Sequence, residues 1–266
     1  MWVIWLTAGF LALVAGLVTL TNNVKEDTAR RQESVMQADQ GSIAEGIEQY
    51  TKIHGQAPAN LDALTATDGF EHLRAARNPW QRYERSQVIN DGVWNFQRAA
   101  AWTVVRRDGA GSYRTENACG TGDVATAQAW CGKADGTWYR IESKESYNDE
   151  MSMQRTRMMR TLQLFADAWT ASQAFPAQGN DGASLGPGQQ RSLATLAGYY
   201  GAADACTGVY VWRGIPLDCG ALFDTWGKPV KYQYQSPTLI VLTTETPFTA
   251  ADGMPVVVAT PLQVQE

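Results

Sequence analysis

Nineteen residues from Trp2 to Leu20 carry no charged side chain. As a helix, a run of that length reaches roughly 30 Å, the thickness of a bilayer core. Its apolar surface has to stay in lipid or against protein, because hiding it from water is worth on the order of tens of kcal/mol. The run passes into a polar helical pattern and not into a small-residue cleavage site, and no basic residue precedes it. It therefore reads as a retained anchor over residues 1–22 and not as a secretory signal. Trp2, Ile4, Trp5, Leu6, Phe10, Leu13, Leu17 and Leu20 carry its apolar character. Trp2 and Trp5 stand at one end, where indole rings favour a membrane interface.

The four cysteines decide the compartment. Cys119 and Cys131 form one local pair, and Cys206 and Cys219 another. Four cysteines allow three pairings. The local one is favoured because both intervening segments are short and rich in Gly, Ala and Asp. Each bridge would then contribute about 3 kcal/mol by restricting a loop of roughly 15 residues in the unfolded chain. The alternative is four buried thiols. Neither pair has zinc-knuckle spacing. Disulfides need an oxidising compartment, so the part beyond the anchor is expected in a periplasm or outside the cell. Lys25, Arg30 and Arg31 after the anchor are interleaved with Glu26, Asp27 and Glu33. The positive-inside rule, taken alone, points the other way; the cysteines outweigh it.

Beyond the anchor, the length allows one large or two small domains. A helix is expected over about Val24 to His54, with Ile43, Ile47, Tyr50 and His54 on one face. It stops before Gly55 and Pro58. Leu61 and Leu64 follow, then a turn at Asn78-Pro79-Trp80. Strands are expected around Val93 to Phe96 and from Trp102 to Val105, closed by the turn residues Asp108 to Gly111, and again over Thr137 to Ile141. The pattern then starts afresh. A second helix from about Asn148 to Ser172 places Met158, Leu162, Phe165 and Trp169 at the same four-three-four spacing. Phe175-Pro176 ends it. Residues Ala177 to Gln190 read as mobile surface loop. Leu193 and Leu196 repeat the separation of Leu61 and Leu64, and Asp224-Thr225-Trp226-Gly227-Lys228 repeats Asn78-Pro79-Trp80-Gln81-Arg82. Strands follow around Tyr232 to Gln235 and Leu239 to Thr243. The shared order reads as an internal duplication, with Trp80 and Trp226 marking the two sheet-entry turns.

Each unit resembles the globular head of type IV pilins and of the pseudopilins of type II secretion. The resemblance rests on the apolar helix running into an amphipathic one, the tract Ile47-Glu48-Gln49-Tyr50 before Pro58, the leucine pair with Gly69, and the two Trp-bearing turns. It implies an α+β fold: a long N-terminal hydrophobic helix (residues 1–54), then two pilin-like units over 43–147 and 148–266, each a helix packed on a small antiparallel sheet. It implies a structural subunit that waits in the inner membrane with a periplasmic globular part and then joins an extracellular filament, or fimbrium. Residues 1–22 would form the filament core and the disulfide loops would lie on its outside. The partners implied are further copies of the chain in a homo-oligomeric helical filament and other pilin-like subunits. Pilins usually carry Glu at the fifth mature position. Trp5 stands there in this chain, which points to a specialised subunit. Val35 and Met36 precede any sheet able to cover them, so their burial would need a neighbour.

No reaction chemistry is marked. His54 and His72 have no helical metal spacing, no Gly-x-Ser-x-Gly elbow is present, and no phosphate-binding or dinucleotide fingerprint occurs. No metal, cofactor or enzymatic activity is expected. With a net charge of −5 and scattered Lys and Arg, no nucleic-acid footprint is evident. Of the ten tryptophans, most read as packing between helices and sheets. Trp130, Trp138 and Trp212, in or beside the cysteine loops, are the candidates for surface recognition of a receptor or glycan. The competing reading of the whole is a monomeric, membrane-anchored periplasmic binding or scaffold protein.

Overall fold

The computed structural model describes residues 30–104 and 138–265, together with residues 27 and 124. The apolar run 2–20, Trp130, Cys119, Cys131 and the turn at 108–111 lie outside the described residues. The fold is mixed α+β with antiparallel strand pairings. Two compact units divide it. Among the described residues, no helix is long and apolar enough to cross a membrane.

The first unit takes the described part of Met1–Ile47, with Ala59–Arg85 and Ala99–Ile141. Residues 30–54 form helix α1, whose buried positions in this unit are Gln40, Ile43, Ala44, Gly46 and Ile47. Those spacings return to one side of a 3.6-residue helix. Residues 30–35, 37 and 38 are exposed. Gly46 faces the 3-10 turn Glu71–Ala76, where a Cβ would collide with the side chain of Leu73. The missing side chain is what allows the approach. Helix α2 (Leu61–Ala66) buries Leu61 and Leu64, and its free N-terminal donors are met by Asn60 Oδ1, which accepts from Ala63 N at 2.7 Å. Strand β4 (Arg98–Thr103) lies between β1 (Gln81–Arg85) and β5 (Trp138–Glu142). Gln81 stands opposite Thr103 in the β1–β4 pairing. Ala99 to Trp102 are all buried, as a central strand covered on both faces requires.

The second unit takes Glu48–Pro58, Ser86–Arg98 and Glu142–Glu266. It therefore reaches further back than the 148–266 expected, because strands β2 (Ile89–Asn90) and β3 (Trp94–Phe96) join its sheet. Strand β10 (Leu239–Ala250) is the spine. It pairs with β11 (Pro255–Gln263) along one side, and along the other with β9 (Lys231–Ser236) and then β3. Strand β6 (Gln190–Ser192) borders β9. Helix α3 (Tyr147–Ser172) sends Met158, Leu162, Phe165 and Trp169 into one core with Tyr232, Leu242 and Val258. The expected spacing and the buried face agree. The Phe165 ring stacks on Tyr232 at 5.4 Å and meets Trp212 edge-on at 5.7 Å.

The end of α1 also belongs to this unit. Gly55 takes φ 71° and donates its N–H to Thr51 at 2.8 Å, a left-handed helix cap. The buried stripe continues through Thr51, and His54, expected on the covered face, is exposed. Residues 177–190, expected as mobile surface, are pinned. Gln178 and Ser184 form an antiparallel bridge, Asp181 takes two hydrogen bonds from Arg191, and Leu185 is buried. The loop is ordered because it contributes to the core as well as to the surface.

Candidate functional site

The disulfide expected between Cys206 and Cys219 is present and closes the base of a hairpin. Strands β7 (Val209–Trp212) and β8 (Ile215–Asp218) are joined by the two residues Arg213 and Gly214, at φ 52° and 85°. Positive φ at both central positions is the turn whose twist suits a two-residue hairpin. Trp212 pairs with Ile215 and Val209 with Asp218. Alternation then sends Trp212, Ile215 and Leu217 inward, each no more than 1% exposed, and leaves Val209 and Val211 outward at 61% and 57%. Helix α4 (Leu193–Leu196) and helix α5 (Cys219–Leu222) flank the hairpin in the same core and are capped by Ser192 and Asp218.

Trp212 is therefore not a surface recognition residue. It is wholly buried, its Nε1 donates to the Gln178 carbonyl at 3.0 Å, and its ring meets Tyr232 at 90°. The period-two pattern of the strand was visible in the sequence, but which of its faces points inward was not. Trp138, in the first unit, is half-buried and lies flat on Trp102, with ring centres 4.9 Å apart. The exposed apolar residues beside the second bridge are Val209, Val211 and Tyr200 instead.

The two Trp-bearing turns share one local geometry. Trp80 donates its backbone N–H to Asn78 Oδ1 at 3.1 Å, and Trp226 donates its own to Asp224 Oδ1 at 2.9 Å. Asp224 Oδ1 also accepts from Lys228 N at 2.7 Å, and its second oxygen accepts from the Thr244 hydroxyl. Burial raises the Asp224 carboxyl above its ordinary value despite these donors. Trp226 is half-buried, donating Nε1 to the Lys52 carbonyl at 3.1 Å, with its ring edge-on to Phe248. Trp80 is half-buried, and its carbonyl accepts from Val104 N at 2.9 Å. Trp80 leads straight into β1, whereas Trp226 precedes β9 in a sheet that β2, β3 and β6 have already entered.

His54 lies tilted at 38° against the Tyr50 ring, with centres 4.2 Å apart, and partial loss of hydration there lowers its pKa from the ordinary 6.5. His72 is exposed in the 3-10 turn. Among the described residues, no group of three His, Cys, Asp or Glu side chains could hold a metal ion. Lys144 lies over the Phe96 ring and pairs with Asp91 and Glu142, and Arg98 pairs with Glu142 in turn. Asp91 is lowered to about 2, chiefly by the Trp94 N–H and then by Lys144.

The sequence reading missed the hairpin and, with it, Arg213. The signal was there: Val209 to Trp212 and Ile215 to Asp218 flank a residue-Gly pair. No protein-family model, curated protein or solved structure matches this chain.

Proposed function

We propose that this chain is a structural subunit of a type IV pilus-like filament, in which copies associate through their N-terminal helices and the α+β units face outward. One observation carries the reading. The first turns of α1 are exposed at residues 30–35, 37 and 38, with Val35 at 59%, and they follow closely on the charge-free run 2–20. A helix without packing on either side is marginal in water. Neighbouring copies supply that packing in a bundle. The inner membrane would hold the run before assembly, and other pilin-like subunits would share the bundle.

The duplicated, pilin-like organisation belongs to the same proposal. Its support is local: leucine-pair helices capped by Asn60 and Ser192, followed in each case by an Asx turn that holds a tryptophan N–H. A role in adhesion or partner recognition would use the outward face of the β7–β8 hairpin. A second reading, a monomeric, membrane-anchored periplasmic binding or scaffold protein, draws on a cavity lined by Gln178, Ser184 and Arg213 at the tip of the β7–β8 hairpin.

Sheared surface fibres from cells expressing the full chain test the proposal. The filament reading expects the chain in those fibres, and expects Val35→Arg, on the exposed first turns of α1 and beyond the apolar run, to deplete it there while leaving the membrane-associated pool intact. Recovery of only single copies in the membrane fraction, with none in sheared material, would sink it.

A further inference from the structure

A cavity of about 620 Å³ opens between the C-terminal end of α3 and the tip of the β7–β8 hairpin. Ala168, Ala171 and Ala174 give it an apolar wall, and Arg213, Gln178 and Ser184 supply polar groups. We propose that this cavity binds an organic carboxylate with a short apolar body, the carboxylate on the Arg213 guanidinium and the body against the alanines. The inference stands apart from the filament reading.

The residue at the turn is the first reason. A two-residue hairpin turn with φ positive at both positions favours Asn-Gly. Here the first position holds Arg213 at φ 52°, a conformation in which a long side chain gains nothing locally. Among the described residues, the other non-glycine at positive φ is Gln173, whose conformation is that of the left-handed cap closing α3; Arg213 has no such helix to end. Strained backbone gathers where a side chain must be aimed.

The aiming is the second reason. Arg213 Nε donates to the Gln178 carbonyl at 3.4 Å, and Nη2 donates to Gln178 Oε1. Gln178 is itself held, donating Nε2 to the Gly182 carbonyl at 2.7 Å. The guanidinium is thus oriented by uncharged partners. No carboxylate among the described residues forms an ion pair with Arg213, whereas nearby Arg191 meets Asp181 at 2.6 Å. A planar fork with donors to spare matches a carboxylate in both shape and single charge.

The space is the third reason. Its volume lies in the range of small-ligand sites, about 300–1,000 Å³, and the alanine side chains are too short to fill it. The matching chemistry exists in free small acids and in peptide C-termini alike.

The full chain, in detergent micelles, is titrated with benzoate, with acetyl-trialanine bearing a free carboxylate, and with its C-terminal amide, while the backbone amide signals of Ala171, Gln178 and Gly214 are followed. Saturable shifts with a carboxylate and none with the amide are expected. Response to benzoate alone marks a small-acid site, and response to the tripeptide acid marks a chain-terminus site. Arg213→Asn places the preferred residue in the turn, so the unfolding temperature should hold or rise while affinity falls by at least about tenfold. Ala171→Leu fills the cavity without touching the turn and should abolish the response as well. Absence of saturable shifts with either carboxylate, or an Arg213→Asn protein that binds as the unaltered chain does, overturns the proposal.

Discussion

The Asp224 carboxylate accepts the backbone N–H of Trp226 at 2.9 Å, and the same oxygen holds Lys228 N at 2.7 Å. The Asn78 amide oxygen makes the first of these contacts with Trp80. An amide oxygen therefore serves one turn and a buried carboxyl the other. Asp224→Ala should cost about 2–3 kcal/mol, since it strands the Thr244 hydroxyl as well as the turn donors. Asp224→Asn should cost less than about 1 kcal/mol because an acceptor remains. Urea denaturation of the two variants separates these values.

The same carboxyl sets a pH dependence. Its folded-state pKa is raised above the ordinary 3.8 by burial, so the folded protein binds more protons than the unfolded chain between those two values. Stability is full below 3.8, falls as pH rises through the raised folded value, and levels off above it. Asp224→Asn should remove that slope and leave the other carboxylates' contributions in place. Denaturation midpoints across the acid range read it directly, and an unchanged profile would contradict the assignment.

Gly55 is expected to tolerate no side chain. Its φ is 71°, and a Cβ would run into the backbone of Pro247. Its carbonyl also accepts the Tyr147 hydroxyl at 3.0 Å. Gly55→Ala should destabilise the second unit by more than about 2 kcal/mol. Thermal unfolding measures it, and a neutral effect would mean that the cap can rearrange.

The hairpin offers a contrast between its faces. Trp212→Ala should cost about 3–5 kcal/mol because it empties a core site between Phe165 and Tyr232. Val211→Ser, one residue away, should change stability by no more than about 0.5 kcal/mol. Equal effects would show that the two faces are not distinguished in solution.

The bridge at the hairpin's base spans 13 residues. Replacing Cys206 and Cys219 by Ser should cost about 3 kcal/mol, mostly through the freed unfolded chain. Unfolding with and without reductant checks this on the unaltered protein.

Local rules carry much of what the residues reveal. The stripe Met158, Leu162, Phe165 and Trp169 needs only the 3.6-residue period, and it is the buried face of α3. The stop at Gly55, the leucine pair at Leu193 and Leu196, and the pairing of Cys206 with Cys219 are likewise settled by neighbours within a few turns or one short loop. Distant pairings were decided elsewhere. Nothing near Asn95 announces Thr249 as its partner across the sheet, and nothing near Arg213 announces Gln178. Once Val209 to Trp212 is known to be a strand, alternation puts Trp212 and Val211 on opposite faces, but only the core built by α3 and β9 chose the tryptophan as the inner one. A period fixes which side chains share a face; burial is assigned by whatever packs there, and that partner is a property of the folded chain as a whole.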